Sequence, residues 1–183
     1  DYSSWIEKCQ NLEAQLSFDR ENYQHKAQIN PYLFIQQFSE YLKEDEIIVY
    51  DGGSIMNYVM QAFRLKTGQR LISSTGLELP GFAIPGAIGV SQWSENTSVY
   101  CLCEEQGMQL SIPELQTIAT YQLPVKILNF RSQGNATIRK IQKDFFGSRY
   151  VGTENKILVH PPATEEIAQI YEIPVIEIKS QKY

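Results

Sequence analysis

The chain is short of basic charge, histidine, cysteine and long apolar runs, and each shortage removes a class of function. Sixteen Lys and Arg stand against 21 Asp and Glu, for a net charge of -5. No global positive field draws nucleic acid or an anionic membrane surface, and neither is expected as a partner. The two histidines, His25 and His160, are remote from one another and from any Cys or Asp pattern, so neither is a candidate ligand or base. The three cysteines, Cys9, Cys101 and Cys103, are too few and wrongly spaced for a disulfide framework. Cys101 and Cys103 alternate on one face of a strand, where a metal would need a second pair, and they read as small buried hydrophobes. With no charged-then-apolar leader and no apolar stretch of membrane length, a reducing cytoplasm is the expected location.

What is present is an alternating α/β pattern. A length of 183 residues with 43% hydrophobic composition supports one domain with a substantial core. Residues 1–28 read as an arm and linker: Trp5, Ile6, Leu12 and Leu16 fall at roughly helical spacing, followed by a polar stretch. The compact domain, 29–183, opens at "INPYLFIQQFSEYLKEDE", where Asn30 caps, Pro31 takes the first helical position, and Phe34, Phe38, Tyr41 and Leu42 form an apolar face. A strand ending in Asp51-Gly52-Gly53 follows, then a helix with Met56, Val59, Met60 and Phe63 on one face. The cycle repeats through "RLISSTG", "GFAIPGAIGVSQW", "SVYCLC", "SIPELQTIATY", "VKILNF" and "NATIRKIQKDFF", with Ser111 and Glu114 spaced as a capping box. After an expected ordered loop, "ATEEIAQIYEI" reads as a helix and "PVIEI" as a final strand. Short apolar strands separated by helices predict a parallel sheet covered on both faces, with its glycine-rich turns gathered at one edge.

The strings "IIVYDGGS", "QAFRLKTGQRLISSTGL", "GFAIPGAIG", "IPELQTIATYQLPVKI" and "IRKIQKDFFGSRYVGT" occur in that order. Together with the opening helix they resemble the carboxyl-terminal, diphosphate-binding domain of acetolactate-synthase-like thiamine diphosphate enzymes. The resemblance runs from Ile29 to about Ile178. It implies a three-layer α/β/α domain around a mainly parallel sheet of about six strands, with thiamine diphosphate and magnesium as cofactors. It also implies a pyrimidine-binding domain of the same or a neighbouring subunit as partner, in a homo-oligomer. The family decarboxylates a 2-keto acid and ligates the resulting carbanion, with the cofactor as electron sink. Its ylid-forming glutamate belongs to the pyrimidine domain, so no catalytic residue is expected in this chain.

The family holds the diphosphate with a Gly-Asp-Gly turn and a later Asn-Asn pair. Glycines admit the phosphates to the backbone; the Asp, the second Asn and a backbone carbonyl two residues on bind the metal. The resemblance places Glu104, Glu105 and Gln106 on Gly-Asp-Gly, with Gly107 following. It places Arg131 and Ser132 on Asn-Asn and leaves Gly134 as carbonyl donor. The implied metal set is therefore Glu105, Ser132 and Gly134. Where the family has a Gly-Leu-Gly-x-Met-Gly cofactor support, this chain has Gly76-Leu77-Glu78-Leu79-Pro80-Gly81, which puts Glu78 and Pro80 at cofactor-facing positions. Pro80 has no N–H to donate there.

Gly52, Gly53 and Ser54 match the turn that meets the phosphates from the first strand. They suit either an anion at a helix start or a tight turn that merely needs glycine. Glu104 and Glu105 read equally as solvated loop acids, and Arg131 as a surface residue. Opposite charge at one sheet edge predicts that Glu104 or Glu105 pairs with Arg131 and closes the pocket. The resulting expectation is a family scaffold whose cofactor and metal positions are altered. The alternative is a structural or interaction module that keeps the fold and binds no thiamine diphosphate.

Overall fold

The computed structural model describes residues 1–16, 29–93, 98–131, 136–153 and 162–180. The order of elements is α1 (Ser3–Leu16), α2 (Pro31–Tyr41), β1 (Ile47–Tyr50), α3 (Ser54–Ala62), β2 (Arg70–Ile72), α4 (Ala83–Trp93) and β3 (Val99–Glu104). It continues through α5 (Glu105–Leu110), α6 (Glu114–Tyr121), β4 (Val125–Phe130), α7 (Ala136–Phe145) and α8 (Thr164–Ile170). The strands are parallel throughout, in the order β2-β1-β3-β4.

Strand alternation sorts side chains to two apolar layers. Val49, Val99, Cys101 and Cys103 face α4, α6 and α8 through Ala83, Ile84, Leu115, Ile118 and Ile167. Ile48, Tyr50 and Leu102 face α2 and α3 through Ile35, Leu42, Ile55 and Val59. Burial on both faces produces the unbroken apolar run of β1, all four of whose residues are buried. The three-layer α/β/α architecture follows. Both strand cysteines are fully buried, as small hydrophobes should be.

Several local expectations need correction. The described residues form four strands, against an expected sheet of about six. Among the described residues, the stretch "PVIEI" forms no strand. Asn30 does cap α2, accepting from the amides of Tyr32 at 3.0 Å and Leu33 at 3.4 Å. Of the expected α2 face, Leu42 is buried and Phe34 and Phe38 pack against the same layer, but Tyr41 is 88% exposed, and Leu33 and Ile35 take the fully buried positions. On α3 the buried positions are Ile55, Val59 and Ala62, and Met60 lies outside. The capping box does not form: the Ser111 hydroxyl donates to the Gly81 carbonyl at 2.6 Å, and α6 starts without a side-chain cap. Arm helix α1 is exposed over residues 3–15 and is tied to the body by an ion pair between Glu13 and Arg64. Residues 17–28 of the arm lie outside the described residues. Among those described, no helix is long and apolar enough to cross a membrane.

Candidate functional site

Because β1 lies between β2 and β3, the chain winds first to one side of β1 and then to the other. In an open α/β sheet, the crevice outside the carboxyl ends of two such strands is where ligands bind. Here Asp51-Gly52-Gly53 leaves β1 and Glu104-Glu105 leaves β3. The Asp51 amide donates to the Leu102 carbonyl at 3.0 Å, extending the ladder by one rung and setting the two exits side by side.

Asp51 is buried, 2% exposed, and sequence reasoning had noted it only as part of a turn. Its Oδ1 accepts from the Ala83 amide at 2.8 Å, capping the first turn of α4. Burial pushes its carboxyl above the ordinary range, and the amides of Ala83, Gly81 and Phe82 oppose that shift. Its Oδ2 is buried with no hydrogen-bond partner among the described residues. An aspartate closing a buried strand just before two glycines was the available sequence signal.

Glu104 and Glu105 extend the acidic character of this edge. Both are half-buried, and burial raises both carboxyls. For Glu104 the Ser54 hydroxyl opposes the shift, while the charges of Asp51 and Glu105 add to it. For Glu105 the Arg131 guanidinium opposes it and Glu165 adds to it. Arg131 Nε lies 3.8 Å from Glu105 Oε1, so the expected pair between Arg131 and one of the two acids forms, at long range. The same guanidinium makes shorter contacts with Glu165 at 2.7 Å and Glu177 at 3.0 Å. Burial outweighs this more distant guanidinium, so Glu105 remains shifted upward beside a cation.

Glu104 and Arg131 reach a cleft of about 380 Å³ between the end of β4 and residues 175–178. Phe34, Tyr58 and Phe130 form its aromatic wall. Phe34 and Phe130 meet edge to face at 5.6 Å, which joins α2 to the end of β4.

The other candidate residues distribute unevenly. Gly53 opens α3 with φ 73° and open space around its Cα, and Ser54 is the first helical residue. Gly52 is overlain by the 76–80 loop: a Cβ there would stand 2.3 Å from the Glu78 carbonyl. Glu78 and Pro80 are themselves exposed, on the outer side of that loop. The turn expected at 104–107 is instead the end of β3 and the start of α5. Gln106 is exposed there, whereas Gly107 is buried against Asp51. Ser132 and Gly134 lie outside the described residues, as do His25 and His160. Among the described residues, no group of three or more His, Cys, Asp and Glu side chains is arranged to hold a metal ion. Glu165 and Glu177, which sequence reasoning did not single out, complete the charged edge.

Comparison with known proteins agrees with this geometry. The chain is 26% identical to the acetolactate synthase large subunit of Lactococcus lactis over 182 residues, covering all of this chain and 31% of that protein. It is 28% identical to the acetolactate synthase large subunit of Porphyra purpurea over 141 residues, covering 77% of this chain and 23% of the relative. Against the acetolactate synthase isozyme 2 large subunit of Escherichia coli it is 28% identical over 150 residues, covering 81% and 27%. The chain thus spans a third or less of the length of these curated relatives. Residues 51–183 match the family described as "Thiamine pyrophosphate enzyme, C-terminal TPP binding domain". With the parallel sheet and its paired glycine and acidic exits already in view, a match over that much of the sequence means that the chain belongs to this family.

Proposed function

We propose that this chain is the carboxyl-terminal domain of an acetolactate-synthase-like protein in which the thiamine diphosphate and magnesium positions are altered, so that cofactor binding is weak or lost. The carrying observation is the 3.8 Å approach of Arg131 to Glu105. By the family register Glu105 is a metal ligand, and here it faces a guanidinium that two further carboxylates already engage.

The residues do not fit the cofactor. A diphosphate needs positive charge and open backbone amides, whereas Asp51, Glu104 and Glu105 bring carboxylates together at this edge, with their charged forms disfavoured by burial. Like charges about 4 Å apart near a protein surface repel by roughly 4 kcal/mol before screening. Gly52, one of the two glycines of the first turn, is pressed by the backbone of Glu78. The start of α3 remains open at Gly53, which favours an anion, but Glu104 with the neighbouring Ser54 hydroxyl already supplies negative charge there.

In this reading the domain meets a pyrimidine-binding domain of the same or a neighbouring subunit, assembles as a homo-oligomer in the cytoplasm, and contributes no catalytic side chain. A second reading, a non-catalytic structural or interaction module, is favoured by the contrast between two fully packed apolar layers and an altered carboxyl edge. Calorimetric titration with thiamine diphosphate and magnesium, repeated with a pyrimidine-type domain supplied, tests the proposal. No saturable heat is expected. Micromolar uptake by this chain would defeat it.

A further inference from the structure

Arg131 immediately follows β4, and its guanidinium joins three elements that are distant in sequence. Nη1 lies 3.0 Å from Glu177 Oε1, Nη2 lies 2.7 Å from Glu165 Oε2, and Nε lies 3.8 Å from Glu105 Oε1. These acids belong respectively to the carboxyl-terminal segment, the first turn of α8 and the first turn of α5. Lys179 adds a 2.9 Å contact to Glu177, but from the same segment, so it bridges nothing. Guanidinium is suited to the hub: it is always charged and presents a rigid fork of donors, whereas an ammonium is a compact point charge.

Among the described residues, little beyond the packing of Ile173 on the core fixes the segment it holds. Residues 173–180 belong to no strand or helix, although Val175, Ile176 and Ile178 border the cleft. Ile176 is 89% exposed and Ile178 57%, so burial of these side chains anchors the segment only weakly. The Arg131–Glu177 pair is therefore placed where it can hold the segment down.

We propose that Arg131 is a strap: its guanidinium gathers Glu105, Glu165 and Glu177 and holds the carboxyl-terminal segment beside the cleft. The strap rests on these three contacts. Removing the guanidinium unties Glu177, and with it the segment, from the starts of α5 and α8.

The test uses the whole chain and compares wild type with Arg131→Met, which keeps a long side chain without its charge. Melting is followed together with amide exchange over residues 174–180. The variant should melt about 2–4 °C lower and exchange its segment amides about tenfold faster. Wild-type melting and exchange in the variant would overturn the strap. Should Arg131→Met fail to fold, Glu177→Gln decides the strap: segment exchange must rise while the melting temperature stays near wild type, and unchanged exchange would overturn it. Cofactor uptake by wild type would strike the functional reading and leave the exchange result standing.

Discussion

A Cβ on Gly107 would stand 1.9 Å from Asp51 Oδ2, so the two residues fit together only while position 107 lacks a side chain. Asp51 cannot easily yield, because its Oδ1 holds the Ala83 amide at the start of α4. Alanine in a helix gains up to about 1 kcal/mol over glycine, whereas overpacking a tight site costs about 1–3 kcal/mol. Gly107→Ala should therefore lower stability, measured as a reduced urea midpoint. Asp51→Ala should cost about 1–2 kcal/mol by losing the cap. The double variant should lose less than the sum, since without the carboxylate the overlap disappears. An additive cycle would show that the two residues act independently.

Stability near neutral pH should be held down by Glu104. An acid whose folded-state pKa lies above its unfolded value binds its proton more tightly when folded. Its destabilising effect is absent below the ordinary carboxylate range, grows as pH rises from that range to the raised folded value, and is constant above it. Burial is the leading cause for Glu104, with Asp51 and Glu105 adding to it. Glu104→Gln should gain a few tenths to about 1 kcal/mol at neutral pH once solvent screening is allowed for. On the acid side it should match wild type. Urea midpoints across the acid-to-neutral range check this, and a variant weaker than wild type at neutral pH would contradict it.

The parts of this molecule that sequence made legible are those fixed by neighbours in the chain. Asn30 and Pro31 start α2 because a side-chain acceptor and a preset φ act within one turn. The apolar run of β1 predicts two-sided burial wherever it is placed. Ser111 was misread because its hydroxyl had a second acceptor, the Gly81 carbonyl, which only the folded chain brings within reach. The start of α5 was hidden because six residues show too little periodicity and Gly107 gains its role from Asp51, far back in the chain. On α2 the aromatic residues Phe34 and Phe38 pack edge to face on Phe130 and Tyr100 of the sheet, while Leu33 and Ile35 take the deeper positions. At the edge, the family register brought Glu105 and Arg131 together. Glu165 and Glu177 carry no motif, and nothing local marks them as partners of the same guanidinium.

The three cysteines should divide sharply by reactivity. Cys9 is exposed on α1, whereas Cys101 and Cys103 are fully buried in β3. The hydrogen bond with Cys103, followed by burial, pushes the Cys101 thiol well up, which disfavours the reactive thiolate. A thiol-specific reagent added to native protein should therefore modify Cys9 rapidly and leave the strand pair untouched until denaturant is added. Cys101→Ala should be destabilising through the lost sulfur volume, by about 1–2 kcal/mol. Cys101→Ser should be worse, because it buries a hydroxyl in an apolar layer. If both strand thiols were modified in the native state at the rate of Cys9, the packed layer they share with Val49 and Ile84 would have to open far more readily than its burial implies.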